Sequence, residues 1–191
     1  MLKVGITGGI GSGKSYVCEI LEKMGYPVFY SDLEAKRLMI QKSELIEQIK
    51  LIVGENAYLE EELNKPIIRK FLFDNEQNKE KLNKIIHPFV YQEFENWCLK
   101  QKQQIVFNES ALLFETGSYK RFDKTILITA PEGIKVKRIT SRDGLKFDDI
   151  KKRFEAQLND ETKIEKADYV IENDEKKLLI PQINRIITEL K

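Results

Sequence analysis

Residues Gly8-Gly9-Ile10-Gly11-Ser12-Gly13-Lys14-Ser15 form a complete G-x-x-x-x-G-K-[ST] phosphate-binding loop. No other part of the chain constrains its fold as much, because such a loop works only between the end of a buried strand and the first turn of a helix. Both flanks meet that condition. Leu2-Lys3-Val4-Gly5-Ile6-Thr7 is a short apolar, β-branched run of the buried-strand kind. After the loop, Val17, Ile20, Leu21 and Met24 recur at i, i+3, i+4 and i+7, which predicts one apolar helical stripe. The glycines let successive N–H groups turn inward around phosphate oxygens. Lys14 supplies a point charge for the β- and γ-phosphates, and the Ser15 hydroxyl is a ligand for Mg²⁺. The phosphates then rest on a helix N-terminus, where unpaired N–H groups and the macrodipole favour anions. A nucleoside triphosphate is expected on Gly8, Gly9, Ile10, Gly11, Ser12, Gly13, Lys14, Ser15 and Tyr16.

The remaining pattern alternates strand and helix signals. A second strand is expected at Pro27-Val28-Phe29-Tyr30, with Gly25 capping the helix before it, and the strand ends at Ser31-Asp32. From Leu33 to about Gln101 the pattern turns helical, with stripes at Leu45, Ile46, Ile49 and at Leu82, Ile85, Ile86, Phe89. Strands return at Ile105–Phe107, Thr125–Thr129 and Tyr169–Glu172. Residues 132–166 are helical in pattern and dense in charge, including Lys135, Lys137, Arg138 and Arg142, which reads by default as a solvated face. A last helix carries Leu179, Ile183, Ile186, Ile187 and Leu190, with Pro181 in its first turn. This order implies an α/β fold, a five-stranded parallel sheet with helices on both faces, whose ligand lies at the carboxyl ends of the strands. The expected division is a nucleotide-binding core (1–32, 102–131 and 167–191), a helical insertion (33–101) and a charged helical stretch (132–166).

The 191 residues suffice for one such core with insertions, and 32 basic against 31 acidic side chains give no nucleic-acid footprint and no polybasic membrane anchor. Cys18, Cys98 and a single histidine, His87, cannot assemble a zinc site or a disulfide framework, so both cysteines are expected as reduced core residues. No apolar run reaches transmembrane length and the first residues enter a strand directly, so a cytoplasmic protein without an obligatory protein partner is expected.

Among phosphate-loop proteins, a guanine-reading switch needs N-K-x-D after a late strand. Asn64-Lys65, Asn78-Lys79 and Asn83-Lys84 all lack the Asp. A motor or transporter ATPase would end an apolar strand in a Mg²⁺ carboxylate, an option that Asn108-Glu109 leaves open. A small-molecule kinase accounts for more of the layout. It needs an acceptor-binding insertion, a carboxylate near the acceptor hydroxyl and mobile cations over the transferring phosphoryl group. Asp32 is the carboxylate at the end of the second strand, with a helix N-cap as its alternative reading.

Taken together, the loop from Thr7 to Ser15, Asp32, Leu82-Asn83-Lys84-Ile85-Ile86-His87-Pro88, Leu112-Leu113-Phe114-Glu115, Arg138-Ile139-Thr140-Ser141-Arg142-Asp143-Gly144, Gln157 and Ala167-Asp168-Tyr169-Val170-Ile171-Glu172-Asn173 resemble the dephospho-coenzyme A kinase family across nearly the whole chain. The resemblance implies ATP- and Mg²⁺-dependent phosphorylation of the 3′-hydroxyl of dephospho-coenzyme A. By position, it makes Asp32 the acceptor-orienting carboxylate, and it groups Lys14 and Arg142 with it as catalytic. Arg138 and Arg142 become lid arginines over the nucleotide, Asn173 a residue near the adenine, and residues 33–101 the acceptor-binding insertion. His87, Leu112 and Leu113 become acceptor contacts, against packing as their alternative, and a turn is the alternative for Asn173. Pro88 is expected to kink or end its helix. Departures from the family pattern are Tyr30 in place of an Asp, Lys65 in place of an Arg, which loses the bidentate fork, and Ala111 in place of a Pro. A kinase of another small alcohol and a non-catalytic nucleotide-binding module are the alternatives.

Overall fold

The strand before the loop, β1 (Leu2–Gly8), has five consecutive buried residues at its end, as a strand covered on both faces requires. The computed structural model, which describes residues 1–191 with the side chain of Glu76 excepted, places it at the centre of a five-stranded sheet. Its companions are β2 (Val28–Tyr30), β5 (Ile105–Glu109), β6 (Lys124–Thr129) and β7 (Tyr169–Glu172), in the order β2-β5-β1-β6-β7, all parallel. Ile6 of β1 is in register with Glu109 on one side and Ile126 on the other. The expected parallel sheet is therefore observed, and the loop leaves β1 where its neighbours on the two sides come from later parts of the chain, the usual place for a ligand crevice.

The chain forms two compact units, Met1–Tyr30 with Gln101–Lys191, and Ser31–Lys100. In the first, α1 (Lys14–Lys23) buries Val17, Cys18 and Leu21. Met24, expected on that stripe, is instead the exposed C-cap, and buried Cys18 takes its place. The helix ends as Gly25 predicts. Gly25 adopts φ +87°, its N–H bonds Glu22 O, and Tyr26 N–H bonds Leu21 O, the paired bonds of a Schellman ending. Val4, Ile6, Val17, Leu21 and Phe107 share one core with Ile183, Ile186 and Ile187 of α9 (Leu179–Glu189). Pro181 sits in the first turn of α9, where its missing N–H costs nothing. Burial, followed by the charge of Glu109, pushes the Cys18 thiol up to about 12. Cys18 and Cys98 are both buried and outside any disulfide, as expected. The charged stretch folds as α6 (Glu132–Asp143), α7 (Phe147–Glu155) and α8 (Asp160–Lys166).

In the second unit, α2 (Ser31–Gln41), α3 (Ser43–Val53), α4 (Lys65–Asp74) and α5 (Glu76–Cys98) are interrupted by a small antiparallel hairpin, β3 (Tyr58–Leu59) and β4 (Glu62–Leu63). The hairpin contradicts the all-helical expectation. Its turn, Glu60-Glu61, has no Gly or Asn to announce it, and Glu60 itself takes the left-handed conformation at φ +54°. Pro88 does not end its helix either, since α5 continues for ten residues past it. The reason lies in the buried faces on either side of the proline. Leu82, Ile86, Val90, Phe94 and Cys98, each four residues apart, are at most 6% exposed, and this continuous stripe outweighs one missing N–H. Among the described residues no helix is long and apolar enough to cross a membrane.

Candidate active site

The loop opens with a turn in which Ser12 N–H bonds Gly9 O at 3.0 Å, leaving Ile10 and Gly11 as the central residues. Gly11, at φ +80°, occupies the position that needs the left-handed conformation. A Cβ there would also lie 2.8 Å from Lys135 O, a backbone atom of α6 that cannot easily move aside. Gly13, at φ +89°, is the residue from which α1 starts, and a Cβ on it would come within 2.1 Å of Asn173 Nδ2. These two positions admit glycine alone.

A phosphate cradle needs its N–H groups facing inward, so its carbonyls must be satisfied elsewhere. Two side chains do this. Arg138 Nη1 donates to Gly11 O at 3.3 Å and to Ser12 O at 3.2 Å, while Asn173 Nδ2 donates to Ser12 O at 2.9 Å. Arg138 Nη2 binds Asn173 through its backbone O (3.2 Å) and side-chain Oδ1 (3.1 Å), which locks the two together. Asn173 is buried and fixed at the end of β7 by its N–H on Thr129 O. Gln157 Oε1 accepts the Ile10 N–H at 3.1 Å. Thr7 Oγ1 and Ser12 Oγ are buried without a hydrogen-bond partner.

Lys14 Nζ lies 2.5 Å from Glu109 Oε1, and both side chains are nearly enclosed. Glu109 ends β5, in the place where the sequence left a strand-end carboxylate open. Ser15 and Tyr16 are exposed at the start of α1. Arg142 lies on the last turn of α6, where its fork closes on Asp143 at 2.7 and 2.9 Å and holds that carboxyl below its usual range. A cavity of about 920 Å³ lies against Gly9, Lys135, Phe154, Gln157 and Asp160.

The default of a solvated charged face fails for two lysines of the 132–166 stretch. Lys135 is buried, and its ammonium sits 2.5 Å from Asp160 Oδ2, which also accepts the Thr129 hydroxyl at 2.5 Å. Lys163, with no exposed surface, pairs with Glu115 Oε1 at 2.8 Å, off the angle of a hydrogen bond. Charge density hid both, because a buried lysine and a surface one look alike until their partners, distant in sequence, are known.

Of the residues expected at the acceptor, Asp32 is the second residue of α2, exposed in its first turn, which removes the N-cap alternative. His87 is half-buried on α5, its ring 5.9 Å from that of Tyr91 one turn along. Leu113 is fully buried, and its Cδ2 approaches to 2.8 Å of where a Cβ on Gly5 of β1 would stand, so its packing role is occupied in the sheet core. Leu112 beside it is half-buried. Tyr30, where the family pattern has an Asp, donates its hydroxyl to Glu22 at 3.0 Å, and burial together with that bond raises its pKa.

A five-stranded parallel sheet with helices around it, a braced phosphate loop and a lysine held at its end define the class of phosphate-loop kinases. A structure of shikimate kinase from Acinetobacter baumannii in complex with shikimate shares this fold, with a TM-score of 0.53 at 16% identity over 100% of this chain and 92% of the other. The family is more specific. Residues 2–178 match the model of dephospho-CoA kinase, and the chain belongs to that family. It is 39% identical over 190 residues to the dephospho-CoA kinase of Bacteroides fragilis, covering 99% of this chain and 93% of the relative. The structure of dephospho-CoA kinase from Campylobacter jejuni superposes with a TM-score of 0.69 at 26% identity, covering 98% of this chain and 96% of that one. The activity that goes with membership is ATP-dependent phosphorylation of an alcohol group on dephospho-coenzyme A, the final step of coenzyme A biosynthesis.

Proposed function

We propose that the chain transfers the γ-phosphoryl group of ATP to the ribose 3′-hydroxyl of dephospho-coenzyme A, with Asp32 orienting that hydroxyl and accepting its proton late. The observation that carries the reading is the cradle. Arg138 and Asn173 hold the outward carbonyls of Gly11 and Ser12, so the loop is organised for phosphate before any ligand arrives. Lys14 exchanges its Glu109 contact for the β- and γ-phosphate oxygens when ATP enters. In a loose transfer transition state the nucleophile needs little early deprotonation, so the larger contribution of Asp32 is alignment.

The oxygen donors at this end of the loop, the Ser15 hydroxyl and the Glu109 carboxylate, suit Mg²⁺, which takes one or two protein oxygens and completes its shell with phosphates and water. When bound, Mg²⁺ would supply positive charge that offsets the negative charge of the triphosphate. Arg142 releases Asp143 and neutralises phosphate charge as the lid, residues 132–166, closes. Asn173 and Arg138 border the nucleotide from the loop's far side. Residues 33–101 take the acceptor, with His87 and Leu112 as contacts, and the enzyme works in the cytoplasm, where ATP is supplied.

The test is acceptor-dependent ADP release by purified protein with Mg-ATP, run over a panel of dephospho-coenzyme A, shikimate and free nucleosides. Turnover should depend on dephospho-coenzyme A and be at background with the others. Turnover with another alcohol alone would move the enzyme to a different acceptor. ATP binding without any acceptor-dependent turnover would make it a binding module.

A further inference from the structure

Two residues of blocks that resemble the family, Glu115 at the end of the Leu-Leu-Phe-Glu segment and the isolated Gln157, have no part in the chemistry above, yet they meet at one place. The segment between α7 and α8 is held at several points. Glu115 Oε1 accepts Leu158 N–H at 3.1 Å and stands 2.8 Å from the buried Lys163 ammonium. Two residues further on, Asp160 takes the Thr129 hydroxyl from the end of β6 and the Lys135 ammonium from α6, each at 2.5 Å. Asn159 caps α8 by accepting Thr162 N–H at 2.8 Å. The residue these contacts aim is Gln157, whose Oε1 receives the Ile10 N–H of the phosphate loop at 3.1 Å.

The position of Ile10 gives this contact a consequence. Ile10 is the first central residue of the Gly9–Ser12 turn, and its N–H belongs to the Gly9–Ile10 peptide, the one whose carbonyl closes that turn. Gly9 O is taken by Ser12 N–H, and Gly11 O and Ser12 O are taken by Arg138 and Asn173. Gln157 thus holds the N–H end of that peptide from outside, and Gly9 itself carries no side chain there. A Cβ on it would stand only 3.5 Å from Asp160 Oδ1, 3.6 Å from Lys135 Nζ and 3.7 Å from Gln157 Oε1, so the same cluster encloses the turn from outside.

We infer that Gln157 is a positioning residue for phosphoryl transfer: pinned by Glu115, Lys163 and Asp160, its carboxamide fixes the Ile10 peptide and so the first half of the phosphate cradle. The inference rests on the kinase reading for its rate effect, but not for the geometry it asserts. Gln157 touches neither substrate nor reacting atoms. It acts through Ile10, and it ties the end of the 132–166 stretch to the loop, so that the position of that segment is felt at the phosphates.

The test compares wild type, Gln157→Leu, which keeps the bulk and loses the acceptor, and Gln157→Glu, which keeps an acceptor oxygen. Amide exchange at Ile10, followed by NMR on the ligand-free full chain, should speed up in the Leu variant and stay slow in the Glu variant. In the transfer assay, loss of one such bond predicts that kcat of the Leu variant falls about three- to tenfold, with unchanged KM for dephospho-coenzyme A and unchanged melting temperature. The Glu variant should recover kcat and show its added charge as a raised KM for ATP. Unchanged Ile10 exchange or wild-type kcat in the Leu variant overturns the inference, as does a fall in kcat matched by a fall in melting temperature. A wild-type chain that protects Ile10 yet transfers no phosphate to dephospho-coenzyme A would overturn the functional reading instead, leaving the contact itself established.

Discussion

The phosphate loop and the Ser31–Lys100 unit are held together by opposite means. Around the loop, nearly every contact is polar and specific to one atom: Arg138 and Asn173 on its carbonyls, Gln157 on an N–H, Glu109 on Lys14, and backbone too close for a Cβ at Gly11. In the helical unit the main support is an apolar stripe, Leu82 through Cys98 on α5 together with Leu38, Leu45 and Ile49. Polar ties to buried backbone accompany it, such as the Tyr58 hydroxyl on Met39 O and the Asn78 side-chain amide on Phe71 O, both at 2.7 Å. A cradle for a fixed, charged, transferring group tolerates little displacement, whereas an apolar core of about the right volume accepts substitution. The loop should therefore lose function sharply on small changes, and the helical unit should lose stability gradually.

The strongest test of that contrast is a conservative change at Asp32, the proposed acceptor-orienting residue of the helical unit. Asp32→Asn is expected to lower kcat by about 10²- to 10⁴-fold without lowering the melting temperature, the scale of a lost proton-accepting, orienting group. Lys14→Ala should lose most turnover too, and in addition weaken ATP binding measured by titration, because it removes a phosphate contact as well. Wild-type turnover in Asp32→Asn would show that the acceptor hydroxyl is oriented by some other group.

Next in size is a single methyl group in the loop. Gly13→Ala forces a side chain into left-handed backbone at φ +89° and against Asn173 Nδ2, costing about 1–3 kcal/mol from backbone strain alone. Isothermal titration should show ATP affinity reduced at least tenfold while the fold survives. Normal affinity would mean that the loop is more pliant than its contacts imply. In the helical unit, Ile86→Ala removes far more atoms, yet its expected effect is about 2–5 kcal/mol of stability by denaturant titration, with kcat retained at temperatures where the protein is folded. A loss of kcat at full folding would erase the distinction between the two regions.

How much of this was legible depends on the range of the signal. Strand β1, the loop and the Gly25 ending of α1 follow from adjacent residues, and Tyr169–Glu172 was placed to the residue because an apolar run bounded by polar ones has few alternatives. The β3–β4 hairpin was missed because Glu60-Glu61 carries no turn chemistry. Of the kink or ending expected at Pro88, the ending does not occur, because tertiary burial of Leu82, Ile86 and Val90 carries the helix through it. At the site, Glu109 could be suspected from its strand-end position, but its pairing with Lys14 spans most of the core. Glu115 stood out only as part of a resembling block, with no role attached, and Lys135, Asp160 and Lys163 gave no signal at all, since each acquires meaning only from a partner 25 or more residues away.

The smallest expected effect concerns the strand edge rather than the site. Burial alone would raise the Asp168 carboxyl, but hydrogen bonds from Lys124, from the Thr125 hydroxyl and from Thr125 N–H outweigh it and leave its pKa below the usual carboxylate range. A carboxyl depressed in the folded state contributes stability above its unfolded pKa and loses it as pH falls through the folded value. The melting temperatures of wild type and Asp168→Asn should therefore differ at neutral pH and converge in acid. A constant difference across that range would show that the loss is one of packing, not of ionisation.

The central claim is that this braced loop delivers its phosphate to one particular hydroxyl. Purified protein incubated with Mg-ATP and dephospho-coenzyme A, with the product resolved by phosphorus NMR, should show a new monoester phosphate on the ribose 3′ position and an equal yield of ADP. A folded preparation that binds ATP but leaves dephospho-coenzyme A without that phosphate would contradict the account.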